Sequence, residues 1–110
     1  MTPTVWYHVR DLDQARGFYR ETLEFEEVAV DFAERWSHLR RGAMELGLAE
    51  GEPQHEGAVA LVDVADLKAE AERLRSAGVD VGIVFELQDS MRLLDVYDPD
   101  GNRIQLAQEL

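Results

Sequence analysis

Six side chains of this sequence have the chemistry to hold or transform a small ligand, and each falls in an alternating stretch. Trp6 and His8 lie in 4–9, Trp36 and His38 in 35–40, Glu45 in 43–48 and Gln105 in 102–107. Residues two apart on a strand point to one face, so Trp6 shares a face with His8, and Trp36 with His38. Two indoles and two imidazoles beside a carboxylate form an aromatic and acidic box that stacks a flat or cationic ligand. The same carboxylate is the candidate general base, with His8 or His38 as the acid. For each tryptophan a second reading stays open, in which it fills the core or a subunit interface. His8 and His38 without a third ligand at a known spacing are not a metal motif. His55, in a polar stretch, reads as solvated.

Other chemistries find no support. There is no glycine-rich phosphate loop with Lys and Ser or Thr, and Gly-x-Ser-x-Gly is missing. Asp98 and Asp100 suggest calcium or acid/base work, but Asp98-Pro99-Asp100-Gly101-Asn102 is explained more simply as a turn. Proline fixes φ, Asp and Asn bond their own backbone, and Gly accepts positive φ. After that reversal Ile104 and Leu106 point to one face of a strand, and Arg103 and Gln105 to the other.

The elements that must position these groups can be read from periodicity. Thr4 to Val9, rich in β-branched and aromatic residues, is a strand. Asp11 or Asp13 then caps a helix whose Leu12, Ala15, Phe18 or Tyr19, and Leu23 recur at helical intervals. Residues 25–30, 35–40 and 43–48 read as strands. In the last of these Met44, Leu46 and Leu48 face one way, with Ala43, Glu45 and Gly47 opposite. Residues 50–57 are polar and aperiodic and form the linker. Beyond it the pattern restarts, with a strand at 59–64, a helix capped by Asp66 and ended at Gly78, and strands at 81–85, 91–97 and 102–107. Val9-Arg10-Asp11-Leu12 matches Val64-Ala65-Asp66-Leu67 at an offset of 55 residues. The expected fold is α+β, a single domain over 1–110 built of two βαβββ modules, 1–50 and 57–110. Together they form a curved mixed sheet around a cleft.

Composition narrows the class. The 110 residues, 45% hydrophobic and 31% charged, suit one globular domain. A net charge of −12 repels nucleic acid and admits a cationic or neutral partner. No apolar run is long enough to span a bilayer. The first residues carry no basic or apolar leader, and there is no cysteine, so the expectation is a cytoplasmic protein.

The strand running into Val-x-Asp-Leu, Gly17-Phe18-Tyr19 with Leu23-Glu24-Phe25, Arg41-Gly42-Ala43-Met44-Glu45-Leu46, and Asp98-Pro99-Asp100-Gly101-Asn102 resemble the glyoxalase/bleomycin resistance/dioxygenase superfamily, or vicinal oxygen chelate fold. The resemblance implies paired βαβββ modules, homodimers and, in the enzymes, a divalent metal held on four strands. It places those ligand positions at Thr4, Glu45, Val59 and Gln105, a poor set for zinc, iron or manganese. The expectation is therefore a small-molecule-binding homodimer like the bleomycin-resistance branch. It needs no cofactor, and sequesters a cationic or aromatic ligand at Trp6, His8, Trp36, His38, Glu45 and Gln105. The alternative is a glyoxalase-like lyase or isomerase, or a dioxygenase-related enzyme, with a degenerate site.

Overall fold

The computed structural model describes residues 3–110; Met1 and Thr2, which belong to the leader reading and to the first module, lie outside the described residues. Strand β1 (Val5–Val9) buries Val5, Tyr7 and Val9 and turns Trp6 and His8 the other way. Asp11 caps α1 (Leu12–Gly17), accepting from the Gln14 N–H. The helix then widens by one residue over 18–22, where the Leu23 N–H reaches back to the Phe18 carbonyl. Leu12, Ala15, Tyr19 and Leu23 all stay on the buried stripe. Strands β2 (Glu26–Asp31), β3 (Trp36–Arg41) and β4 (Met44–Glu50) complete the first module.

The second module repeats this order with β5 (Ala60–Asp63), α2 (Leu67–Ser76), β6 (Asp80–Val81), β7 (Phe85–Leu87), β8 (Met91–Tyr97) and β9 (Arg103–Glu109). Asp66 caps α2 through the Ala69 N–H, as Asp11 caps α1. Gly78, at φ +81°, ends α2, and the Val79 N–H returns to the Leu74 carbonyl. The strand expected at 81–85 is broken into β6 and β7, which both pair with β8. The Gly82 N–H still bonds the Asp95 carbonyl, after which the chain leaves the ladder and Ile83 is 80% exposed. A bulge of this kind is invisible to an alternation pattern.

The sheets run β1-β4-β3-β2 and β5-β9-β8-β6, with β7 also on β8; β1–β4 and β5–β9 are parallel and the other pairs antiparallel. Each carries its helix on one face. Those helix-bearing faces merge into a single apolar core, in which β4, with buried Leu46 and Leu48, adjoins β5, with buried Ala60 and Val62. Each module's other face is turned away from this contact. Two tyrosines lock the joint. The Tyr7 hydroxyl donates to the Arg103 carbonyl (2.5 Å) and accepts from the Ala60 N–H (2.8 Å), and the buried Tyr19 hydroxyl donates to Asp98 Oδ2 (2.7 Å). Arg41 adds an ion pair to Glu70 at 2.6 Å. Among the described residues no helix is long and apolar enough to cross a membrane.

Candidate functional site on the open face of the first sheet

Register determines which side chains meet. Trp6 pairs with Gly47 across β1 and β4, and Gly47 with His38 across β4 and β3, so Trp6, Gly47 and His38 form one row on the open face. His8, Ala49 and Trp36 form the next row. Glu45 lies two residues before Gly47 on the same face of β4. The first-sheet candidates therefore share one face. The sequence stretches that hold them are strands because alternate residues, Val5, Tyr7, Leu39, Leu46 and Leu48, are buried beneath α1 and the second module.

The centre of this face is a buried pair. His38 Nε2 lies 2.8 Å from Glu45 Oε1, both side chains being 9% exposed. Arg40, opposite Glu45 in register, turns instead to Glu26 at 3.4 Å. A buried carboxylate requires a partner, and here the partner is an imidazole and not a guanidinium. Beside the pair the Trp6 indole lies flat over Gly47, 47% exposed. Trp36 is half-buried at the strand end. The half-buried His8 ring sits against Gly51, one row away from His38.

Gln105 occupies a different environment. It is on the open face of the second sheet, where its amide donates to Asp95 Oδ1 (3.2 Å), and Asp95 Oδ2 is 3.7 Å from Arg103. It makes no hydrogen bond to the first sheet. Leu61, its neighbour in register on β5, is exposed, as are Phe85 and Leu87.

The four positions that the resemblance assigns to a metal do not fit one. Val59 has no donor atom, and the Thr4 hydroxyl donates to the Glu45 carbonyl at 3.1 Å. Glu45, whose Oε1 meets His38, and Gln105, whose Nε2 donates to Asp95, stand on different sheets, so the set offers one carboxylate and one amide and no imidazole. Among the described residues no cluster of three or more His, Cys, Asp or Glu is placed to hold an ion.

Asp98 and Asp100 do the work of a turn. Asp98 Oδ1 accepts from the Asp100 and Asn102 N–H groups, and its Oδ2 from Asn102 Nδ2 and Tyr19. Burial and the adjacent Asp98 push the Tyr19 phenol well above its ordinary range. His55, expected in solvent, bonds the Asp100 carbonyl at 2.9 Å and helps line a cavity of about 420 Å³ between the linker and this turn. That cavity contains none of the six candidate residues.

The sequence profile of the Glyoxalase/Bleomycin resistance protein/Dioxygenase superfamily matches residues 4–106. The chain belongs to this superfamily. Solved structures with the same fold include an integron cassette protein from the mobile metagenome of the Halifax Harbour sewage outfall. It is 22% identical, with 97% of each chain covered and a TM-score of 0.83. TnmS3, an antibiotic binding protein from a Streptomyces species, is 25% identical over 100% of this chain and 97% of its own, with a TM-score of 0.79. The fosfomycin resistance protein FosX from Mesorhizobium loti is 18% identical over 100% of this chain and 92% of its own, with a TM-score of 0.73. No curated protein sequence matches the chain.

Sequence reasoning missed two members of these faces. Alternation sets Gly47 opposite the apolar stripe and gives it no role. The available signal was a glycine inside a strand, which marks a close approach. Asp95 on β8 lies opposite Gln105 on β9, and only the strand register shows that these two meet.

Proposed function

We propose that this superfamily member binds a cationic or aromatic small molecule on the open face of its first sheet, sequestering it without a metal and without turnover. The observation that carries the reading is the buried His38–Glu45 pair beside the exposed Trp6 indole, which joins a carboxylate to an apolar platform. The unfit ligand set supports metal independence. The antibiotic-binding role of TnmS3, at 25% identity, supports the ligand class. The protein works in the cytoplasm as a C2 homodimer. In it the open face of one chain's first sheet is closed by the second-sheet face of the other, so that Gln105 joins Trp6, His8, Trp36, His38 and Glu45 around a cavity. The exposed Leu61, Phe85 and Leu87 supply the apolar covering surface.

A thermal-shift screen of cationic and aromatic compounds tests the reading. Hits should lose their shift in Trp6→Ala and Glu45→Ala proteins, and unchanged affinity in both would end the assignment. Stoichiometric zinc, manganese or iron in purified protein would end the metal-free part. The His38–Glu45 bond also favours a second reading, a lyase or isomerase that uses Glu45 as base. Turnover of α-oxoaldehyde hemithioacetals that disappears in Glu45→Gln would select it.

A further inference from the structure

We infer that this face selects a planar cation with an N–H edge, and that Gly47 is the residue that sets the plane in which the ligand stacks. The inference rests on the small-molecule-binding reading of the same face and adds the ligand's shape and charge and a positioning residue.

Gly47 does not owe its place to backbone conformation, since it is not among the residues at positive φ. It owes it to space. A Cβ built there would lie 2.4 Å from Trp6 Cε3, 2.5 Å from Cζ3 and 2.6 Å from Cδ2. The indole therefore rests directly on the backbone of β4, one face against the strand and the other outward. Any side chain at Gly47 lifts or tilts the ring.

Glu45 gives the ligand its second requirement. Its side chain is 9% exposed, and among the described residues its only partner is His38, on Oε1. Oε2 has no hydrogen bond to the described residues, and the side chain keeps 9% of its surface open. No Arg or Lys of the described residues pairs with this carboxylate, since Arg40 goes to Glu26. One oxygen thus waits beside the platform for a charge-assisted donor. A ring lying on Trp6 presents its edge toward Glu45, gaining stacking and a cation–π contact from the indole and donating its N–H to Oε2. A neutral ring loses the charge, and a quaternary ring loses the N–H.

Calorimetric titration with 4-aminoquinoline (aminoquinoline below), which is protonated at neutral pH, N-methylquinolinium and naphthalene tests this. Wild-type protein should bind aminoquinoline about tenfold more tightly than N-methylquinolinium and bind naphthalene least, the size expected of one charge-assisted bond and one cation–π contact. Glu45→Gln should erase the preference for aminoquinoline over N-methylquinolinium. Gly47→Ala should weaken aminoquinoline about tenfold in the wild-type background and by less than about twofold in Trp6→Ala, because it acts through the indole. Circular dichroism confirms that each variant is folded. Affinity unchanged in Gly47→Ala, or an equal loss in both backgrounds, overturns the role of Gly47, even where Trp6→Ala still shows binding on this face. Absence of aminoquinoline binding to wild-type protein overturns the ligand class, while the broader reading stands or falls on its own screen.

Discussion

The two open faces belong to modules of the same βαβββ plan, yet they satisfy their polar groups in opposite ways. On the first sheet the central row is Trp6, Gly47 and His38; on the second, Leu61, 55 residues after Trp6, pairs with Gln105, and Gln105 with Asp95. Asp95 finds an amide and a nearby guanidinium inside its own sheet. Among the described residues Glu45 has only an imidazole, with an exposed indole beside it. One face is electrostatically complete and ringed by apolar residues, which suits covering. The other has a carboxylate met by a single imidazole among the described residues, which suits binding. In the proposed reading the two modules keep one backbone plan and divide the surface roles.

The largest effect is expected where the two modules are joined. Tyr19→Phe removes one of the two hydrogen bonds to buried Asp98 Oδ2, and urea unfolding should show a loss of about 2 kcal/mol, the size of a hydrogen bond to a charged group. A loss near zero would mean that the open faces are not held apart by this joint. Next, Trp6→Leu gives the first row the residue type that the second carries. It should cut the affinity of a cationic aromatic hit by about tenfold, close to 1.4 kcal/mol, with little change in the unfolding midpoint because the indole is half exposed. Asp95→Asn should weaken the second sheet by less than about 1 kcal/mol, since its side chain is partly exposed and its ion pair is long.

The smallest effect is acid-dependent and belongs to the packed side. Burial raises Glu70, but Arg73 and Arg41 outweigh it and hold the carboxyl below its ordinary 4.5; Glu27 is lowered by the Arg16 hydrogen bond. Depressed carboxylates contribute stability that is complete above the unfolded value and lost as pH falls through the folded one. The unfolding midpoint should therefore fall as the pH drops below about 4.5, by less than about 1 kcal/mol per group, and fall less in Arg41→Gln. Equal acid sensitivity in that variant would remove Glu70 from the joint.

Much of this was legible because it is local. Alternation separated Trp6 and His8 from Val5, Tyr7 and Val9, and the Asp11 and Asp66 caps announced both helices. The offset between Val9-Arg10-Asp11-Leu12 and its copy revealed the repeat. What stayed hidden depends on register. The diagonal contact of His38 with Glu45, the indole resting on Gly47 and the closure of Gln105 by Asp95 each join strands whose alignment no single strand encodes. The reach of Tyr19 to Asp98 is also non-local, depending on how the two modules pack.

The most direct test sets the two faces against each other. A cationic aromatic hit is titrated by calorimetry into Trp6→Leu protein and, separately, into Asp95→Asn protein. The account predicts about a tenfold loss of affinity in the first and less than about twofold in the second, because the Glu45 carboxylate and its platform lie on the first sheet. Equal losses, or a larger loss in Asp95→Asn, would contradict it.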